Sequence, residues 1–273
     1  MPAPETLRSR ANPRYKRLRA LRDGRAFGEL SLVEGPKLVA EALAAGVSVV
    51  EAAFAERAEA VPAGRDAIAA LRARGVPLQR MSPDLLASLS EAERSQGLLA
   101  IARRPRFELA QTLRGTPLVL VIDSVQDPGN VGALLRSAEA AGATGALLTT
   151  GSADPLSWKA LRGSMGSAFR LPHVAGLETA PLLDELAGRG LAVLATASDG
   201  ELRYDEADFT QPTAILVGRE GSGLAAAVKQ RAAARLRIPL AAPVESLNVA
   251  VAAALVLFEA ARQRRSAQGP LSL

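Results

Sequence analysis

Residues 118–123 read "LVLVID". An unbroken apolar run of this length is a strand buried on both faces, and such strands sit in parallel sheets with helices on either side. That requirement organises the rest of the chain. Parallel neighbours need crossover connections, so the segments after it should alternate between helix and strand. They do: helix "VGALLRSAEAAG", strand "TGALLT", helix "LSWKALRGSMGSAF", helix "APLLDELAGRG", strand "LAVLATA", strand "AILVG", a helix through "GLAAAVKQRAAA", strand "LRIPL", and a closing helix in "VESLNVAVAAALVLFEAARQR". Upstream, strand "LSLVEG", helix "PKLVAEALAAG", strand "VSVVEAAFA", helix "GRDAIAALRARG", strand "VPLQRM", a short helix at "SPDLLASLS" and strand "GLLAIARR" form a second alternating series. Pro36 suits a first helical position and Gly46 a C-terminal cap.

A chain of 273 residues favours two cores over one. The charged, proline- and glycine-bearing stretch "RPRFELAQTLRGTP" reads as the join. The expected organisation is a basic arm plus a small α/β unit over 1–104, a linker over 105–116, a larger α/β unit over 117–264 and a tail over 265–273.

Charge is distributed unevenly. Residues 1–25 carry eight basic side chains (Arg8, Arg10, Arg14, Lys16, Arg17, Arg19, Arg22, Arg25) against Glu5 and Asp23, a surplus of six, while the whole chain carries +5. The basicity sits at one end, either as a footprint for a polyanion or as a solvated tail. An aromatic content of 3% argues against stacking single-stranded bases on exposed rings. With no cysteine and a single histidine, His173, thiol chemistry and a histidine-based metal site are excluded, and no metal is expected. The segment "MPAPETLRSR" lacks an apolar core and no run approaches the ~20 residues of a membrane span, so a cytosolic protein is expected.

Three strand-to-helix junctions are polar or glycine-rich, where ligands of α/β sheets gather. In "IDSVQDPGNVGALLRSAEAAGA", Asn130 can cap a helix, Gly129 can turn the chain and Arg136 can be a surface residue. "ILVGREGSGL" brings Gly218, Gly221 and Gly223 close together, either a turn or backbone approaching a flat ligand; its spacing matches neither nucleotide-phosphate fingerprint. In "RIPLAAPVESLNVAVAAA", Ser246 can be a helix N-cap. Asn248 fits that role less well, because it would begin a buried helix as an unpaired amide at a cost of about 1–3 kcal/mol.

In this order, the three segments resemble the SpoU branch of the SPOUT methyltransferases. The first matches its opening motif through Asp127, Pro128, Gly129, Asn130, Val131, Gly132 and Arg136; the second through Gly218, Glu220, Gly221, Gly223 and Leu224; the third through Ile238, Pro239, Ser246, Leu247, Asn248 and Val249. Arg219 departs from the pattern, since many members carry a small or amide residue there. The phrases "VEGPKLVAEALAAG" and "LSEAERSQGLLAIA" are similar to the small ribosomal-protein-like RNA-binding domain that precedes the catalytic domain in many ribosomal RNA members.

The resemblance implies an α/β fold with a trefoil-knotted, mostly parallel C-terminal domain, a homodimer, and transfer of a methyl group from S-adenosylmethionine to a ribose 2′-hydroxyl of RNA, large-subunit ribosomal RNA in particular. By carry-over, Arg136 grips a substrate phosphate and assists deprotonation, Asn130 orients the hydroxyl or the arginine, Ser246 and Asn248 hydrogen-bond in the catalytic centre, and Glu220 fixes the glycine loop or reaches the second subunit. Cofactor contacts fall on Thr196, Ala197, Gly218, Ile238, Leu240 and Leu247. His173 lies outside all three motifs and is expected to be structural. The competing readings are a transfer RNA ribose methyltransferase, a non-catalytic RNA-binding assembly protein of the same fold, and a nucleotide-binding α/β enzyme.

Overall fold

A computed structural model of the chain describes residues 6–24, 28–90 and 95–267. Glu5 and Arg25 of the basic stretch, and residues 91–94 of the "LSEAERSQGLLAIA" phrase, lie outside these ranges. The chain divides into two compact units, one of Met1–Pro105 with Leu156–Phe169, the other of Arg106–Pro155 with Arg170–Leu273.

The first unit begins with α1 (Pro13–Arg22), followed by β1 (Leu30–Glu34), α2 (Pro36–Ala44), β2 (Val49–Phe54), α3 (Glu56–Ala60), α4 (Pro62–Ala73), β3 (Leu78–Arg80), α5 (Pro83–Ala87) and β4 (Leu98–Arg103). Its sheet has the order β1-β4-β2-β3, with β4 antiparallel to both neighbours and β2 parallel to β3. The basic stretch is no loose arm. Asn12 caps α1 by accepting from the Arg14 N–H, and Tyr15 and Leu18, one turn apart, bury against Leu7, Leu32, Leu86 and Leu89. Burying each of two such side chains contributes about 1.5–3 kcal/mol, enough to hold a ten-residue helix whose other faces are charged.

The expected linker is also structured. It holds α6 (Leu109–Thr112), started by a capping box between Glu108 and Gln111. The second unit continues with β5 (Leu118–Ile122), α7 (Pro128–Ala140) and β6 (Gly145–Thr149). The helix expected through "LSWKALRGSMGSAF" is two, α8 (Trp158–Ser164) and α9 (Ser167–Arg170), because Met165 and Gly166 adopt left-handed backbone with φ of 50° and 97°. Most of this segment packs with the first unit: Trp158 joins the Leu7/Tyr15/Leu86 cluster, and the Ser31 hydroxyl donates to the Leu156 carbonyl at 2.7 Å.

The chain then returns to the second unit with β7 (His173–Leu177), α10 (Thr179–Gly188), β8 (Ala192–Thr196), β9 (Leu202–Arg203), β10 (Thr213–Val217), α11 (Ala226–Lys229), β11 (Ala234–Arg237) and α12 (Val249–Ala267). The helix expected over "GLAAAVKQRAAA" is reduced to the four residues of α11. Strands β5 and β10 are buried along their whole length, and the seven strands run in the order β7-β6-β5-β10-β8-β11-β9 with every recorded pairing parallel. All strand C-termini therefore open on one edge, with those of β5, β10, β8 and β11 side by side.

Helices α7 and α12 pack together, and Arg264 anchors the far end of α12 by donating to the carbonyls of Thr116, Pro117, Phe209 and Gln211 at 2.7–2.9 Å. Burial lowers the pKa of this guanidinium. No helix among the described residues is long and apolar enough to cross a membrane.

Candidate active site

The β5 junction is built on a buried carboxylate. Asp123 accepts from the hydroxyls of Thr149 and Thr179 at 2.8 and 2.7 Å, and its N–H donates to the Val217 carbonyl. This fixes the direction in which the chain leaves the sheet. Helix α7 then starts three residues earlier than the apolar pattern suggests, with Asp127 as N-cap accepting from the Asn130 N–H at 2.9 Å and Pro128 at the first helical position. Because Asp127 does the capping, the Asn130 side chain is released for other contacts.

Those contacts join all three motifs. Asn130 Nδ2 donates to Glu220 Oε1 at 2.7 Å, and Asn248 Nδ2 donates to Asn130 Oδ1 at 3.0 Å. Asn248 Oδ1 in turn accepts from the N–H groups of Ala250 and Val251 at 2.9 and 3.3 Å. The chemistry of the ends sets the orientation of both amides: a carboxylate only accepts and backbone N–H groups only donate, so each asparagine must point as described. Asn248 is thus the cap of α12, a role open to Ser246 on sequence alone. The objection to an unpaired amide disappears because Asn248 is exposed and both ends of its amide are paired. Ser246 makes no hydrogen bond among the described residues and faces the adjoining cavity.

That cavity, about 700 Å³, lies over the ends of β8, β10 and β11 and is lined by every residue expected to hold cofactor: Thr196, Ala197, Gly218, Ile238, Leu240 and Leu247. Glu220, Ser246 and Asn248 line it too. The Thr196 hydroxyl donates to the Leu216 carbonyl and the Ala197 N–H to the Leu236 carbonyl, so both residues are pinned to neighbouring strands and form a firm wall. Gly218 admits no side chain, since a Cβ there would meet Gly223 C and Leu224 N at 2.7 Å; Gly221 and Gly223, at φ of 79° and 63°, fold the loop back onto it. The glycines therefore serve the loop's own return.

Leu240, Val244 and Leu247 are exposed on the wall at 37, 53 and 36%. Mixed walls, with these apolar side chains beside polar and charged ones, and this volume fit a nucleoside-sized cofactor. At the rim, Lys229 pairs with Asp199 at 2.9 Å, and that hydrogen bond holds the Asp199 carboxyl below its ordinary range.

Arg136 does not join this group. It is exposed on α7, lines no part of the cavity and makes no hydrogen bond or ion pair among the described residues. His173 is buried in β7, with Nδ1 3.0 Å from the Leu171 carbonyl and its ring against Phe107, away from the cavity. Neither Gln126, which accepts from Arg219, nor the anchoring role of Arg264 was apparent from the sequence; a polar residue flanking Asp127 was the only signal for the former.

The sequence profile of the SpoU rRNA Methylase family matches residues 117–258, and that of the RNA 2′-O ribose methyltransferase substrate-binding family matches residues 32–108. An uncharacterized tRNA/rRNA methyltransferase of Synechocystis sp. is 36% identical over 97% of this chain and 96% of its own length. A 23S rRNA (guanosine(2553)-2′-O)-methyltransferase of Bacillus subtilis is 34% identical over 83% and 86%. Among solved structures, the SpoU methyltransferase AviRb from Streptomyces viridochromogenes, in complex with the cofactor AdoMet, superposes with a TM-score of 0.81 at 31% identity, covering 93% of this chain and 99% of that one. Three motifs meeting at one sheet edge, two matching profiles and near full-length relatives lead to one conclusion: the chain belongs to the SpoU methyltransferase family.

Proposed function

We propose that this protein is an S-adenosylmethionine-dependent RNA 2′-O-ribose methyltransferase that acts on large-subunit ribosomal RNA in the cytoplasm, as a homodimer. The observation that supports it best is the hydrogen-bonded chain Asn248–Asn130–Glu220 beside the cavity at the ends of β8, β10 and β11. S-adenosylmethionine, when bound, supplies an electrophilic methyl group. Thr196, Ala197, Gly218, Ile238, Leu240 and Leu247 hold it, and the asparagine chain positions the ribose hydroxyl; orientation of this kind accounts for as much as ~7–11 kcal/mol of a barrier.

Removal of the hydroxyl proton falls to Arg136 acting with the substrate phosphate it grips, since a free guanidinium is a poor base. In its own chain Arg136 stands apart from the cavity, so we assign it to the cavity of a second copy. The face of α7 and α12 that begins at Asn130 and Asn248 supports this. It carries Val251, Leu255 and Phe258 at one-turn and two-turn spacing, 50, 39 and 47% exposed. The trefoil knot of the second unit belongs to the same reading, as does contact of the first unit with RNA.

The activity is tested by incubating the full chain with unmodified large-subunit ribosomal RNA and methyl-labelled cofactor. Label should appear at a ribose whose 3′ linkage resists alkaline hydrolysis; label on a base, or none, contradicts the reading. The shared site is tested by exchanging subunits between Arg136→Ala and Asn248→Ala proteins, each inactive alone. The mixture should recover about a quarter of wild-type activity, because half the dimers are mixed and each has one intact site. No recovery would refute an Arg136 that works across the dimer.

A further inference from the structure

Arg219 is the one residue of the glycine loop that departs from the family pattern, and its surroundings give it a use. Its Nη2 donates to Gln126 Oε1 at 2.6 Å, across from the loop after β10 to the loop that leads into α7. Gln126 is neutral, so this bond aims the guanidinium without cancelling its charge. Arg219 is exposed, lines the cavity and forms no ion pair among the described residues. Other cations on that wall are engaged: Lys229 is paired with Asp199, and Arg237 donates to the carbonyls of Gly200 and Glu201 at 3.1 and 3.0 Å. The residues flanking the Arg219–Gln126 pair in sequence are Glu220 and Asp127, which respectively accept from the Asn130 side chain and from its N–H. The cation is therefore presented beside the end of the cavity where the acceptor hydroxyl has to enter.

We propose that Arg219, aimed by Gln126, is a substrate-binding residue that clamps a backbone phosphate of the RNA next to the methylated nucleotide, a contact that narrows which RNA conformations the protein accepts. The inference rests on the reading of the protein as an RNA methyltransferase. One Arg219 donor is held by Gln126 and four remain, in the planar fork that matches two phosphate oxygens. Gln126 is a positioning residue, acting only through Arg219.

The test uses the full chain, in vitro transcribed large-subunit ribosomal RNA, and calorimetric titration of S-adenosylmethionine. For Arg219→Ala we expect the RNA KM to rise ~10–30-fold with kcat within about threefold, as for loss of one charge-assisted clamp. Cofactor affinity should stay unchanged, and the salt dependence of RNA binding should flatten by about 0.7–0.9 in log–log slope, the signature of one lost phosphate contact. Arg219→Lys should restore the slope but only part of the KM, because an ammonium lacks the fork. Gln126→Ala should leave the slope intact and raise KM only a few-fold (about 1 kcal/mol for one hydrogen bond).

Unchanged RNA affinity and slope in Arg219→Ala would overturn the proposal. So would weakened cofactor binding with RNA binding unaltered, which would assign the cation to the cofactor's carboxylate. Because the slope is read from binding alone, a wild-type protein that bound RNA without methylating it would defeat the functional reading and still leave Arg219 open to this test.

Discussion

The two units use similar segments to opposite ends. In the first, β4 runs antiparallel to β1 and β2, so loops emerge at both edges of the sheet, and several of its charged side chains are tied internally, Arg17 to Glu51 at 3.1 Å and Arg80 to Glu59 at 3.2 Å. In the second, every recorded pairing is parallel and the loops after β5, β8, β10 and β11 leave from one edge. Asn130 and Asn248 are 118 positions apart, yet one hydrogen bond joins them. A parallel sheet collects residues that are remote in sequence into one place; a mixed sheet instead presents surface. Under the proposed function, that contrast divides the labour between a gathering unit for the chemistry and a presenting unit for RNA contact.

The sharpest break in this division is the segment of the second unit's chain that packs into the first. Trp158 is buried there, with its Nε1–H lacking a hydrogen-bond partner among the described residues and the Arg162 guanidinium 5.3 Å from its ring centroid. Trp158→Ala should destabilise the first unit by about 3–5 kcal/mol in denaturant unfolding, while Trp158→Phe, which removes the unsatisfied donor, should change stability by less than about 1.5 kcal/mol. Equal losses would show that the indole N–H is satisfied. Next in size, Arg264→Ala should lower the stability of the second unit by about 2–3 kcal/mol, since four carbonyls lose one charged donor group. An unchanged second transition would mean that α12 is held by its apolar face alone.

The smallest effect separates RNA contact from chemistry. Arg14, Arg17, Arg19 and Arg22 already have partners within the unit, whereas Arg8, Arg10 and Lys16 are exposed and have none among the described residues. Replacing those three by Gln should reduce the salt slope of RNA binding by about 2–3 and leave cofactor affinity unaltered. An unchanged slope would move the RNA contact elsewhere.

Much of this arrangement could be read in advance, for reasons that particular residues make plain. "LVLVID" announced a sheet buried on both faces, and Asp127-Pro128 is a helix start written in side-chain chemistry. What escaped the sequence was where local signal and context disagree. Helix α1 hides two buried anchors, Tyr15 and Leu18, among five basic residues, so it reads as a tail. Strand β7, at the sheet edge, has the burial of a surface segment and no apolar run to mark it. Asn248 seemed misplaced because α12 looked buried all round, whereas Asn248 itself is exposed and one face of the helix, through Val251, Leu255 and Phe258, opens to solvent in the single chain. Arg136 belongs to the first motif in sequence and yet stands outside the cluster in space; under the proposed function it serves a second copy, which no sequence pattern marks.

The central claim is that Asn130 and Asn248, from separate motifs, act as one positioning unit. A double-mutant cycle on kcat/KM for methyl transfer tests it directly, with Asn130→Ala, Asn248→Ala and the pair measured on the same RNA. The account predicts that each single substitution lowers kcat/KM by ~10²–10³ and that the double variant is no slower than the worse single, as for groups that work together. Losses that multiply in the double variant would show two independent contributions and contradict it.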